Sequence, residues 1–98
     1  MVMPVLRVVS AADTAEQGAA FLSAVIAELA QNEVVTLSFS GVTSMTSSFA
    51  NAGLVPLLER FSLGEIKRRL RIVHSTRQIN DMVRSRLERE AERYCFAA

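Results

Sequence analysis

Residues 34–39, Val-Val-Thr-Leu-Ser-Phe, are β-branched or aromatic at nearly every position and too few for a stable helix, so they predict a strand. Ser40-Gly41 ends it. Residues 42–47 are small and rich in hydroxyls, and Phe49, Ala50, Gly53, Leu54, Leu57, Leu58 and Phe61 then recur at helical spacing. A strand, a loop and a helix opening at Ser47 and Ser48 form a unit that presents backbone N–H groups and hydroxyls at a strand's carboxyl end. Parallel α/β folds bind their ligands there. The remainder of the chain has to supply neighbours for this strand and cover for this helix.

Flanking segments supply both. Residues 5–9 follow Pro4 as a β-rich run and predict the first strand. Asp13-Thr14-Ala15-Glu16 reads as a reciprocally capped helix start, and Ala15, Ala19, Leu22, Val25, Ile26, Leu29 and Ala30 give one apolar stripe to about Gln31. Ser62-Leu63-Gly64 interrupts the pattern before a third strand over 70–74. Ser75-Thr76-Arg77-Gln78 repeats the capping signature, and Ile79, Met82, Val83, Leu87, Ala91 and Tyr94 form the apolar face of a last helix. The order βαβαβα implies a parallel sheet with right-handed crossovers. Val35, Leu37 and Phe39 alternate with Val34, Thr36 and Ser38, so one sheet face is oilier than the other. This favours a two-layer α/β sandwich, strand order 1-2-3, with the helices on one face. Pro56 inside the middle helix removes the bond to Ala52 and costs about 3 kcal/mol in a straight helix, so a bend is expected there, next to Gly53.

Chemistry is excluded more readily than assigned. A chain of 98 residues, half of them hydrophobic and 21% charged, is expected to be one folded domain. The apolar run over 19–30 contains Ser23 and Glu28 and is shorter than the roughly 20 residues that span a bilayer. No basic segment precedes an apolar one at the start, so a cytoplasmic protein is expected. One His and one Cys offer no thiolate cluster and no metal-ligand spacing, and Cys95 reads as a tail thiol. No glycine-rich phosphate loop occurs, and no cofactor is expected. A serine hydrolase would need Ser48 as nucleophile, His74 as base and a carboxylate such as Asp81, without a Gly-x-Ser-x-Gly elbow.

The charges are unevenly distributed. Residues 1–66 hold two bases and six acids, a balance of −4, whereas residues 67–98 hold nine bases and four acids, a balance of +5. Much of the latter pairs along a helix: Asp81 with Arg84, Arg84 with Glu88, Arg86 with Glu90 and Arg89 with Glu92 stand at helical spacing. Lys67, Arg68, Arg69 and Arg71 are left as the basis of an alternative, nucleic-acid binding, without interleaved aromatics to stack on bases.

The stretch Leu37-Ser38-Phe39-Ser40-Gly41-Val42, followed by Met45-Thr46-Ser47-Ser48-Phe49, resembles the STAS domains of anti-sigma-factor antagonists. Phe39-Ser40-Gly41-Val42 with Ser48-Phe49-Ala50-Asn51 is similar, more closely, to a STAS-like family of unknown function. The resemblance implies a STAS-like fold and a non-enzymatic switch whose partner is another protein, a GHKL-type ATPase or kinase. It makes Ser48 the counterpart of the serine that such a kinase phosphorylates, with Ser47 beside it. It also points to Gly41, Thr43, Thr46, Ser47, Ser48, Phe49 and Asn51 as a partner-binding surface. Two departures stand out: Ser38 and Thr46 occupy positions that are acidic in the antagonists, and Phe49-Ala50 replaces Gly-Leu. A homodimer is a further expectation, formed over an open sheet face carrying Val34, Thr36, Val5 and Val9 together with Met1-Val2-Met3.

Overall fold

A computed structural model describes residues 2–97, with side-chain environments through Arg93. Met1 and the side chains of Tyr94 and Cys95 lie outside what the structure describes. Three parallel strands, β1 (Val2–Pro4), β2 (Val35–Ser38) and β3 (Leu70–Val73), form one sheet in the order β1-β2-β3. Four helices, α1 (Ala15–Gln31), α2 (Ser47–Gly53), α3 (Leu63–Arg69) and α4 (Arg77–Ala97), form the second layer. In register, Val2, Thr36 and Arg71 make one cross-strand row, Met3, Leu37 and Ile72 the next, and Pro4, Ser38 and Val73 a third. Val35 and Leu37 are fully buried beneath the helices, while Thr36 is only partly covered, as alternation along β2 requires. The two-layer α/β sandwich is the observed architecture.

The first strand sits earlier than its β-rich composition suggests. Residues 5–9 do not pair: Val5–Arg7 is a 3-10 turn, closed by the N–H groups of Val8 and Val9 donating to the Val5 carbonyl. Strict alternation would bury Arg7 between Val5 and Val9. Instead Val5, Val9 and Ala12 turn inward at three- and four-residue intervals and Arg7 stays outside. Val5 and Val9 are therefore core residues and do not belong to an open sheet face.

The middle helix breaks where a bend was expected. α2 ends at Gly53, and a separate 3-10 segment, Val55–Glu59, begins with Pro56 in its first turn. There the missing N–H costs nothing, because first-turn donors have no partner within the helix. The segment over 63–69, read from the sequence as a break leading into β3, is helix α3. Ser62 caps it by accepting the Glu65 N–H at 3.2 Å, and Leu63 and Ile66 face inward despite Gly64 between them.

α1 and α2 cross very closely. A Cβ on Gly18 would stand 2.7 Å from the Phe49 carbonyl oxygen and 2.8 Å from the Ala52 Cβ, so only glycine fits. Phe21 lies under this crossing, with its ring 5.3 Å from Phe49 and 6.4 Å from Phe39. Beside it, the carboxyl end of α1 is closed by a residue distant in sequence. Arg69 donates to the carbonyls of Leu29 at 2.9 Å, Asn32 at 3.2 Å and Glu33 at 2.9 Å, and its guanidinium lies 5.2 Å from the Phe61 ring centroid.

Candidate functional site

The loop between β2 and α2 starts at a turn in which the Val42 N–H donates to the Phe39 carbonyl at 2.8 Å. Gly41 adopts φ +87°, in the left-handed region where a side chain is strained. Val42 and Met45 then insert into the core, while Gly41, Thr43, Ser44 and Thr46 remain exposed. Two apolar anchors thus hold a loop whose other side chains face solvent.

Polar clamps fix the same loop from both flanks. From α4, the Gln78 carboxamide accepts the Met45 N–H at 2.8 Å and donates to the Met45 carbonyl at 2.9 Å, acting as one rung of a sheet ladder. The Thr76 hydroxyl donates to the Thr43 carbonyl at 3.2 Å and accepts the Ile79 N–H at 3.2 Å, so the cap of α4 also holds the loop. From the start of α1, the Ala12 carbonyl accepts the Thr46 N–H at 3.0 Å, and the Asp13 carbonyl accepts the Thr46 hydroxyl at 2.6 Å. That hydroxyl also accepts the Phe49 N–H at 3.2 Å, which makes Thr46 the N-cap of α2. The helix opens at Ser47 as expected, with Thr46 and neither serine as its cap.

With Thr46 as cap, Ser47 is half-buried in the first helical position and Ser48 is exposed in the second. Neither Ser48 nor Asn51 has a hydrogen-bond partner among the described residues, and their spacing of three puts both on one face of α2. Phe49 is different. It is fully buried against Phe21, so a partner cannot touch its ring, and it supports the loop from below. The remaining candidates, Gly41, Thr43, Thr46, Ser48 and Asn51, share an exposed and uncharged surface.

Residues outside the sequence-derived set complete this surface. A groove of about 180 Å³ separates Gly41, Thr43 and Ser44 from Leu6, Ser10 and Asp13. Leu6 is 43% exposed, although leucine is usually a core residue. Leu6 could not be assigned to the surface while residues 5–9 were read as a strand. Gln78 stands in the sequence as the closing residue of a helix cap, but its carboxamide is bonded instead to a loop 33 residues away, and Thr76 caps α4 through the Ile79 N–H.

The acidic positions of the antagonist pattern have other roles here. Ser38 is buried in the row between Pro4 and Val73, and the Thr46 hydroxyl is committed to the cap and to Asp13. Among the described residues Ser48 and His74 make no hydrogen bond to each other, and Asp81 pairs with Arg84 at 3.1 Å. The basic stretch is also partly engaged. Arg69 is spent on α1, and Lys67 meets Glu88 at 3.6 Å.

A model of the family described as a STAS-like domain of unknown function matches residues 17–80. The chain belongs to this family. The matched segment of this STAS-like domain runs from the first turn of α1 to the first turn of α4, and includes the loop and its Thr76 and Gln78 clamp but not Ala12 and Asp13. No curated protein and no solved structure matches the chain. None of the described helices is long and apolar enough to cross a membrane.

Proposed function

We propose that this STAS-like domain is a non-enzymatic, cytoplasmic regulatory module that binds another protein through the exposed side of the 41–51 loop and the start of α2. The observation that carries this reading is the double clamping of a loop that presents unpartnered polar groups. Gln78 and Thr76 hold it on one side, Ala12 and Asp13 on the other, while Ser48 and Asn51 point outward. A surface fixed in advance loses little conformational entropy on docking. Residues 41–51 carry no formal charge and Asp13 is a lone carboxylate on the facing wall of the groove, which suits a partner that offers hydrogen-bonding groups and an apolar contact for Leu6.

Ser48 is the residue on which such docking would be switched. Its hydroxyl is exposed and unused, and a phosphate there would add nearly two negative charges to a surface with no formal charge between Gly41 and Asn51. A GHKL-type ATPase or kinase is the partner class implied by the family resemblance, and Ser47, half-buried, is the poorer acceptor. Tagged wild-type protein and the double variant Ser48→Asp/Asn51→Ala, used as baits in the source cell extract, should recover different amounts of such a protein. Equal recovery by both baits would remove this surface from consideration.

A further inference from the structure

The edge of the sheet at β3 carries a second surface, separate from the loop. Among the described residues β3 pairs only with β2. The bond from the Phe39 N–H to the Val73 carbonyl, 3.0 Å long, sets the phase of that pairing. Backbone groups alternate between the two sides of a strand, so Arg71 and Val73 turn theirs toward β2. The N–H and carbonyl of Ile72, and the carbonyl of Leu70, therefore face outward. The Leu70 N–H is already spent on the Ile66 carbonyl.

An apolar groove adjoins this edge on the helix side of the sheet. It encloses about 280 Å³ between α3 and α4, with Leu63, Ile66, Ile72, Val83 and Leu87 in its walls and Leu37 at its base. Lys67 and Arg84 stand at the rim, paired with Glu88 at 3.6 Å and with Asp81 at 3.1 Å, so the excess of positive charge at this edge comes from Arg71 and Arg68. On the opposite face of the sheet the Arg71 side chain is exposed, with no ionic or hydrogen-bonding partner among the described residues; Arg68, in the last turn of α3, is exposed and without such a partner as well. The edge thus combines unpaired backbone groups, an apolar trough on one side and an excess of positive charge.

We propose that the β3 edge binds an acidic, extended segment of a partner protein by strand addition. Side chains beside Ile72 would enter the α3–α4 groove, and those beside Arg71 would lie on the open face, where carboxylates complement the guanidinium. Charge decides between occupants. A second copy pairing β3 with β3 about a two-fold axis would set the Arg68–Arg71 flank against itself, and like charges across a ladder destabilise it. The edge at β1 offers no equivalent, being three residues long and ending in Pro4, which has no N–H to give.

The test is amide exchange and titration by NMR on the labelled full chain. The probe is a blocked nine-residue peptide alternating Glu with Val or Ile, and the control has Lys in place of Glu. Without peptide, the Ile72 amide should exchange quickly while those of Arg71 and Val73 are protected; with the acidic peptide, Ile72 should become protected too. Arg71→Glu, at an exposed position, should leave the spectrum folded and weaken binding about five- to tenfold, the product of losing one cross-strand attraction and gaining a repulsion. An Ile72 amide still unprotected at millimolar acidic peptide would overturn the proposal. So would equal affinity for the lysine peptide, the same protection produced by a duplex oligonucleotide, or protection in a dimer of the chain alone. Because the loop variant Ser48→Asp/Asn51→Ala leaves this edge intact, failure at one surface is distinguishable from failure at the other.

Discussion

Arg69 supplies the clearest residue-scale argument. α1 has no basic side chain in its last turn; Asn32 satisfies the Glu28 carbonyl, and the carbonyls after it need a donor from elsewhere. The guanidinium reaches three carbonyls at that end from the last residue of α3, and packs near the Phe61 ring on its way. Hydrogen bonds from a charged donor each contribute about 1.5 kcal/mol or more, tempered here by partial exposure, so Arg69→Ala should cost about 2 kcal/mol in urea unfolding. Arg69→Lys should recover less than half of that loss, because an ammonium cannot fork to separate carbonyls. Full recovery by lysine would reduce the contribution to charge alone. At the loop, Gln78→Ala should cost about 1 to 2 kcal/mol, since it leaves the N–H and carbonyl of Met45 in a partly buried place without their partners. It should also weaken capture of the partner, as the loop then has to be ordered on docking.

Among the elements, the α1–α2 crossing is the most demanding. Alanine is the better helix former by about 1 kcal/mol, yet Gly18→Ala would push a methyl group to 2.7 Å from a backbone carbonyl. Overpacking of this kind costs about 1 to 3 kcal/mol, so a lowered melting temperature is expected; a raised one would mean that the helices can separate. What was legible in the sequence follows from this distinction between local and distant causes. β2, α1, β3 and the opening of α4 are marked by periodicity and caps within the segments themselves, whereas the Ser62-x-x-Glu65 cap of α3 is masked by Gly64, a weak helix former. β1 lies before the β-rich run over 5–9 because strand alternation there would bury Arg7 between Val5 and Val9. The exposed loop residues were visible as a hydroxyl-rich stretch. The clamp from Gln78, the capping of α1 by Arg69 and the burial of Phe49 depend on contacts across more than 25 residues, which no local pattern records.

For the whole molecule, the uneven charge distribution has a narrower consequence than the sequence implied. Four consecutive-looking bases, Lys67, Arg68, Arg69 and Arg71, would release counterions from about four phosphates and give log K against log[salt] a slope of about −3 to −4. Folding divides them. Arg69 is bound to α1 and Lys67 faces Glu88, which leaves Arg68 and Arg71 exposed and unpartnered among the described residues. The open face has also lost Val5 and Val9 to the core, and retains Val2, 59% exposed, and half-buried Val34 beside Thr36 and Arg71. Duplex DNA titrated at several salt concentrations should therefore bind weakly, with a slope no steeper than about −2. The double reversal Arg68→Glu/Arg71→Glu should abolish what binding there is without changing capture at the Ser48 loop. A steeper slope, with micromolar affinity at physiological salt that this reversal removes, would show that Lys67 and Arg69 leave their partners for phosphate, and would make nucleic acid the ligand of this half of the molecule.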